Sequence, residues 1–294
     1  MEEKVLYVKL PEDAEYRKVI VTGDGMIGIV YSEECTCQDK KEATIAKVEI
    51  PKPKALIGGS KVYQKEDVPY WYCRIKNGRD EFMHLYMEDL TEEDLLYDSK
   101  TGRKREFSTK KAKKFKADIL EALANKPKEG YRWIPVFEPS SDGKAGLQFV
   151  KGEEPLVGLR CPEWDKMLKE YSPENESGKS SKTTYFLLLL RWLKDGIATL
   201  EQLAEHSEEI GHYWDSKNAK HEFERTGERK FGGLCGFVGN TGKIVEDSNS
   251  PSGYSIIGGS YEFYGELCPL AGVEHIFYPE DWKDNCVGLL ELKR

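Results

Sequence analysis

The stretch VPYWYCRIKNGRDEFMHLY, residues 68–86, contains the clearest β-hairpin signal of this 294-residue chain. Its centre, Asn77-Gly78, is one of the pairs most favoured in the two-residue turns of β-hairpins. On both sides of this pair, apolar or aromatic side chains recur at every second position: Trp71, Cys73, Ile75, Phe82, His84 and Tyr86. A period of two predicts β-strands, so the stretch indicates two antiparallel strands joined by a tight turn.

The pattern around this hairpin predicts an α+β fold, with an antiparallel β-rich N-terminal half, a helical middle and a C-terminal Gly-rich β region. Residues 4–87 keep the period of two and predict six or seven short strands. Helices are expected over 91–97, 108–125, 162–171, 184–194, 199–211 and 213–225. Further strands are expected over 133–137, 147–150, 156–159, 253–264, 274–278 and 287–292.

The length of the chain predicts more than one domain, because single cores rarely grow much beyond this size. Residues 1–171 are expected to form a β-rich domain that includes the basic helix 108–125. The polar stretch SPENESGKSSKTT, residues 172–184, has the composition of a linker or exposed loop. Residues 185–294 are then expected to form a second domain that is first helical and then β.

Composition excludes several classes of protein. Six Trp, sixteen Tyr and eleven Phe are too many for a disordered chain. The longest run of strictly hydrophobic side chains, Tyr185–Leu190, is too short to span a membrane. Seven cysteines are an odd number spread over a long chain, and the first thirty residues lack the pattern of a secretory signal. We therefore expect a reducing compartment, the cytoplasm.

Charge is unevenly distributed along the chain. Residues 100–128 hold eleven Lys and Arg against three acids, a net charge of +8. The whole chain has a net charge of −8, so the remainder sums to −16. A basic segment in an acidic protein indicates a charged contact surface.

The helical period divides this basic segment into two faces. Ala112, Phe115 and Ile119 fall on one apolar stripe, which predicts that this face is buried, with Ser108 as the N-cap. The basic residues that point away from the stripe, or precede the helix in a loop, are the candidate partner-binding residues: Arg103, Lys104, Arg105, Lys110, Lys113 and Lys114. Their counterpart is either the carboxylates of an acidic protein, including this chain's own acidic remainder, or the phosphates of a nucleic acid.

Short motifs give no cofactor or metal site. Gly178-Lys179-Ser180 resembles the end of a phosphate-binding loop, but Pro173 stands where that loop begins with glycine. Cys35 and Cys37 form a thiol pair without the second pair that a zinc site needs. We therefore expect no cofactor and no metal ion.

The histidines indicate an alternative function, that of an enzyme. Glu208 and His212 are four residues apart, a spacing that suits metal ligands on a helix and also an ordinary exposed pair. With His206 and His275 they would form the centre of a metal-dependent or hydrolytic enzyme. No recognised catalytic signature accompanies them.

A second alternative is a nucleic-acid-binding factor. The expected order of elements over 185–245, three helices followed by a hairpin, is that of a winged helix-turn-helix. Acids at Glu208, Glu209, Glu222 and Glu224 oppose phosphate binding there. The leading interpretation is a non-enzymatic cytoplasmic binding protein, a regulator or inhibitor, that uses the basic segment as one contact surface and the aromatic-rich C-terminal region as another.

Overall fold

The computed structural model describes residues 52–98, 101–217, 222–282 and 285–294, together with the backbone of four strands before residue 52. These four strands pair antiparallel, the first with the fourth and the second with the third. They are β1 (Tyr7–Lys9), β2 (Tyr16–Val21), β3 (Ile27–Tyr31) and β4 (Thr44–Ala46).

The stretch 68–86 forms the centre of a four-stranded antiparallel sheet, in the order β5-β6-β7-β8. Asn77 and Gly78 lie in the turn between β6 and β7, with φ values of 59° and 79° that suit a tight hairpin. The expected hairpin is confirmed. The strands are β5 (Tyr63–Lys65), β6 (Val68–Ile75), β7 (Asp80–Tyr86) and β8 (Tyr131–Pro135).

Both faces of this sheet are buried. Tyr72 and Met83 belong to one hydrophobic core, whereas Cys73 and Phe82, their neighbours in sequence, belong to another. The period of two therefore distributes side chains between two cores, and not between a core and solvent.

Five helices follow or interrupt the strands in the described residues. They are α1 (Glu92–Leu96), α2 (Lys110–Ala124), α3 (Cys161–Tyr171), α4 (Lys182–Lys194) and α5 (Leu200–Ala204). Helix α4 is buried from Thr184 to Leu193 and lies in the first core, against α1 and α2. Among the described residues, every helix is too short or too polar to span a lipid bilayer.

The C-terminal part is β-rich, as expected, and the fold class is α+β. Its main sheet has the order β16-β15-β14-β17, in which only the β14–β17 pair is parallel. The strands of this sheet are β14 (Gly242–Glu246), β15 (Tyr254–Ile257), β16 (Val273–His275) and β17 (Cys286–Gly288). Short two-stranded pairs complete the described strands: β9 (Ser140–Ser141) with β10 (Leu147–Gln148), β11 (Gly178–Lys179) with β18 (Leu290–Glu291), and β12 (Lys230–Phe231) with β13 (Leu234–Cys235).

The prediction of a helix over 213–225 is wrong for the residues described there. Residues 213–217 and 222–225 form turns and irregular chain. Tyr213 N–H donates to the Ser216 hydroxyl (2.8 Å), and Glu224 N–H donates to the Asn240 side chain (2.9 Å). These bonds to side chains replace helical ones, so tertiary contacts override a weak polar pattern. The expected strand over 156–159 is also absent, and the helix expected over 199–211 is shortened to α5 and a 3₁₀ turn, Ser207–Glu209.

The stretch 172–184 contains buried side chains. Ser172, Asn175 and Ser180 are fully buried. The Asn175 amide donates to the Ile57 carbonyl (3.0 Å) and accepts from its N–H (2.8 Å). Lys293 N–H donates to the Asn175 carbonyl (3.1 Å), so this part of the chain is packed against residues on both sides of it in sequence.

Candidate functional site

Helix α2 presents the expected apolar stripe to the core. Ala112, Phe115 and Ile119 are buried, and the Phe115 ring lies 6.2 Å from that of Phe186 in α4. The N-cap is Thr109, whose hydroxyl accepts from Ala112 N–H (3.0 Å), and not the expected Ser108. The buried stripe fixes the orientation of the helix and hence of its lysines.

Arg105 has an intramolecular role. Its guanidinium donates to the carbonyls of Asp94 (2.7 Å) and Leu95 (3.0 Å), at the end of α1. A third bond reaches the Leu193 carbonyl (3.3 Å) in α4, and the side chain is only 7% exposed. Burial lowers the pKa of Arg105. This residue joins two helices, and little of its side chain is exposed.

Several other basic residues of 100–128 also contact the chain itself. Lys126 donates to the carbonyls of Glu88 (3.2 Å) and Leu90 (2.8 Å). Lys111 donates to the Glu266 carbonyl. Part of the basic segment therefore docks on the protein's own surface.

The other five candidate partner-binding residues are exposed. Arg103, Lys104, Lys110 and Lys113 are exposed and have no ion pair with any residue that the structure describes. Lys114 bonds to Asp118 one turn along the helix (2.8 Å), yet its side chain is more than half exposed. We call these five residues the outer basic face: Arg103, Lys104, Lys110, Lys113 and Lys114.

Exposed apolar side chains lie on two neighbouring loops, 211–217 and 260–268. Trp214 is 41% exposed, Phe263 45%, Tyr264 48% and Leu267 69%. The loops are joined where Trp214 N–H donates to the Phe263 carbonyl (2.9 Å). We call this pair of segments the aromatic loops.

Two contacts join the aromatic loops and their neighbours to the start of α2. Lys111, next to Lys110, binds the Glu266 carbonyl. The Thr109 hydroxyl donates to the Glu205 carboxylate (3.0 Å), just after α5. The two surfaces that the sequence indicates separately therefore adjoin at the N-terminal end of α2.

The C-terminal half of α2 borders an acidic cleft of about 420 Å³. Among the described residues that line the cleft, Lys182 alone has a positive charge, and its ammonium lies 3.2 Å from Asp118, 3.7 Å from Glu121 and 3.9 Å from Asp247. The carboxylates that line it are Asp118, Glu121, Asp165, Glu246 and Asp247. Helix α2 thus carries exposed cations in its N-terminal half and carboxylates at the cleft, and Lys114 contacts one of these carboxylates, Asp118.

Lys179, the lysine of the Gly-Lys-Ser motif, has a structural role beside this cleft. Its ammonium binds the Asp165 carboxylate and lies 3.7 Å from the centre of the Tyr254 ring. Burial lowers the pKa of Lys179. The lysine therefore already contacts an anion and an aromatic ring of this chain.

The structure does not bring the three histidines together. His206 is exposed beside Glu208 (3.2 Å), whereas His212 is fully buried, with Nε2 2.7 Å from the Glu222 carbonyl. His275 lies at the C-terminal sheet, 3.0 Å from the Ser255 hydroxyl. In the described part of the chain, no group of three or more His, Cys, Asp or Glu is arranged to hold a metal ion. Cys35 and Cys37 lie outside the described residues.

The cleft and the contact between helix and loops have no local signal in the sequence. Lys111 and Glu266 are 155 residues apart, and Lys182 and Asp118 come from different helices. Trp214 and Leu267 are exposed because other apolar side chains fill the core, and the composition of the chain does not show which apolar residues stay outside it. Comparisons with family models, with curated proteins and with solved structures give no match.

Proposed function

We propose that this chain is a non-enzymatic cytoplasmic binding protein, a regulator or inhibitor, that contacts a protein partner through its outer basic face. The observation that carries the proposal is the exposure of Arg103, Lys104, Lys110 and Lys113 without an ion pair among the described residues. Four uncompensated cations on one short segment of an acidic chain favour association with a surface of opposite charge.

The state of the cysteines supports a reducing compartment. Cys73, Cys161, Cys235 and Cys268 are free thiols, and burial raises the pKa of each. A raised pKa keeps these thiols protonated and unreactive, as expected of structural cysteines in the cytoplasm.

The test is affinity capture from a lysate of the cells that produce the protein, quantified by mass spectrometry. The wild type is compared with Lys110→Glu/Lys113→Glu and with a control, Lys61→Glu/Lys144→Glu, which reverses two exposed lysines elsewhere. We expect at least one protein to be retained by the wild type and the control and lost from the α2 variant. Its retention should fall as ionic strength rises, because exposed charges are screened. Equal retention by all three proteins would contradict the proposal.

A further inference from the structure

We infer that the partner presents an acidic protein segment with an apolar anchor, with the anchor on the aromatic loops and the acidic residues on the outer basic face. This inference rests on the function proposed above and specifies the chemistry of the partner. It follows from three features of the surface: its exposed apolar side chains, its fixed shape and the distribution of its charges.

The aromatic loops expose the side chains that dominate protein interfaces. Trp and Tyr are enriched among the residues that contribute most to protein–protein binding, and contiguous exposed apolar surface is uncommon on soluble proteins. Trp214, Phe263, Tyr264 and Leu267 are each more than two-fifths exposed. An apolar side chain of a partner would bury part of this surface and so supply affinity that the lysines alone do not.

The loop 260–268 is held by its own hydrogen bonds. Phe263 N–H donates to the Ser260 carbonyl (3.1 Å), and Leu267 N–H donates to the Tyr264 carbonyl (3.0 Å). Gly265 N–H donates to the Asp215 carboxylate (2.9 Å) on the other loop. A loop fixed before binding loses less conformational entropy when a partner docks, so its apolar residues are well placed to act as anchors.

The aromatic loops lie beside the start of α2, so a partner segment that docks on them is within reach of the lysines of this helix. Lys111 binds the Glu266 carbonyl in the turn that carries Tyr264 and Leu267. Lys110 is exposed on the adjacent position of the helix, and Lys113 and Lys114 follow one turn later. A segment anchored at the loops therefore meets the outer basic face where α2 begins.

The charges around the aromatic side chains favour a protein over a nucleic acid. Asp215, Glu262 and Glu266 are exposed on the same loops. Surfaces that stack nucleic-acid bases on aromatic rings surround those rings with cations, since each base brings a phosphate. Here the loops that carry the rings expose three carboxylates and a single lysine, Lys217, and the cations of the outer basic face lie to one side. This arrangement suits a protein segment whose acidic residues lie to one side of its apolar anchor.

The inference is tested by selection from a random peptide library displayed on phage, with the full chain as target. We expect the enriched peptides to combine an aromatic or large aliphatic residue with a cluster of Asp or Glu. One enriched peptide, labelled with fluorescein, is then titrated with four proteins in an anisotropy assay. They are the wild type, Phe263→Ala/Leu267→Ala, Lys110→Glu/Lys113→Glu and the control Phe277→Ala/Tyr278→Ala, which removes two exposed aromatic side chains elsewhere.

We expect the peptide to bind the wild type and the control equally, and each of the other variants about tenfold or more weakly. If only the loop variant loses affinity, the outer basic face does not contribute to binding, and the proposed function is contradicted as well. If only the lysine variant loses affinity, the aromatic loops do not bind an apolar anchor and this inference is contradicted, while the proposed function stands. Labelled oligodeoxythymidine is titrated at low salt in parallel. Its binding, in the absence of any enriched acidic peptide, would overturn the inference.

Discussion

His84 is a buried histidine that the fold keeps neutral. Its ring lies 4.9 Å from that of Trp133 and 5.2 Å from that of Tyr131, and burial, with a contribution from the Arg191 charge, lowers its pKa from 6.5 to about 4. The unfolded chain binds a proton at this residue near pH 6.5, whereas the folded chain does so only near pH 4. The contribution of His84 to stability is therefore present above pH 6.5 and is lost as the pH falls towards 4.

We predict that replacing this histidine reduces the acid sensitivity of the fold. Between pH 7.5 and pH 4.5 the wild type should lose roughly 2–3 kcal/mol of its free energy of unfolding through this group alone. The loss should be smaller by that amount in His84→Leu and unchanged in His206→Leu, whose histidine is about half exposed. Urea unfolding of the three proteins at both pH values measures these free energies of unfolding. Equal acid sensitivity of all three proteins would show that His84 is not held neutral.

At the scale of single residues, sequence reasoning gives chemical type but not environment. Arg103, Lys104 and Arg105 are equivalent in the sequence, yet only Arg105 is buried, since carbonyls at the ends of α1 and α4 surround it. Its partner Leu193 is 88 residues away. Local patterns hold no information on such a contact.

At the scale of elements, α2 and the hairpin 68–86 could be predicted because each has a strong local signal. The apolar stripe of α2 and the Asn77-Gly78 turn are both found in the structure. The helix expected over 213–225 lacked such a stripe, and bonds to Ser216 and Asn240 determine the conformation of the residues described there. Weak patterns yield to tertiary contacts.

The N-cap of α2 gives a prediction with a matched control in the neighbouring residue. Thr109→Ala removes a cap bond and a bond to Glu205, so we expect it to reduce the free energy of unfolding by about 1 kcal/mol. Ser108→Ala should change it by less than about 0.5 kcal/mol, since Ser108 is exposed. Chemical denaturation of both variants measures the difference. A larger loss in Ser108→Ala would assign the cap to that residue.

Lys182, in the first turn of α4, provides a second test at this scale. Lys182→Met removes the ammonium that Asp118, Glu121 and Asp247 share and leaves Lys114 as the cation beside Asp118, so we expect the free energy of unfolding to fall by about 2 kcal/mol. Adding Asp118→Asn should recover part of this loss, because it removes one of the repelling charges. Urea unfolding of both variants provides the values. No loss in the single variant would mean that Asp118, Glu121 and Asp247 do not need Lys182 for stability.

At the scale of the whole molecule, the sequence predicted the α+β class but not the way the two cores are assembled. Each core contains residues from before and after the stretch 172–184. The Leu292 backbone bonds to that of Trp133 in the central sheet, with both N–H to O distances close to 3 Å. Such pairings join distant parts of the chain and leave no local pattern. The division into domains 1–171 and 185–294 stays a prediction.

The shared cores lead us to expect a single cooperative unfolding transition. Trp192 lies in the first core, and Trp133 and Trp164 lie in the second, so fluorescence reports on both. Urea transitions followed by tryptophan fluorescence and by circular dichroism at 222 nm should coincide. Two separated transitions would instead support independent domains on either side of residues 172–184.

We propose that the outer basic face and the aromatic loops form one binding surface. This proposal is tested by hydrogen–deuterium exchange of the full chain, with and without a saturating amount of a peptide selected as above. We predict that the peptide slows exchange in 103–114, 211–217 and 260–268, and leaves the cleft-lining residues 246–254 unchanged. Protection confined to 246–254, or to segments remote from α2 and the aromatic loops, would contradict the claim.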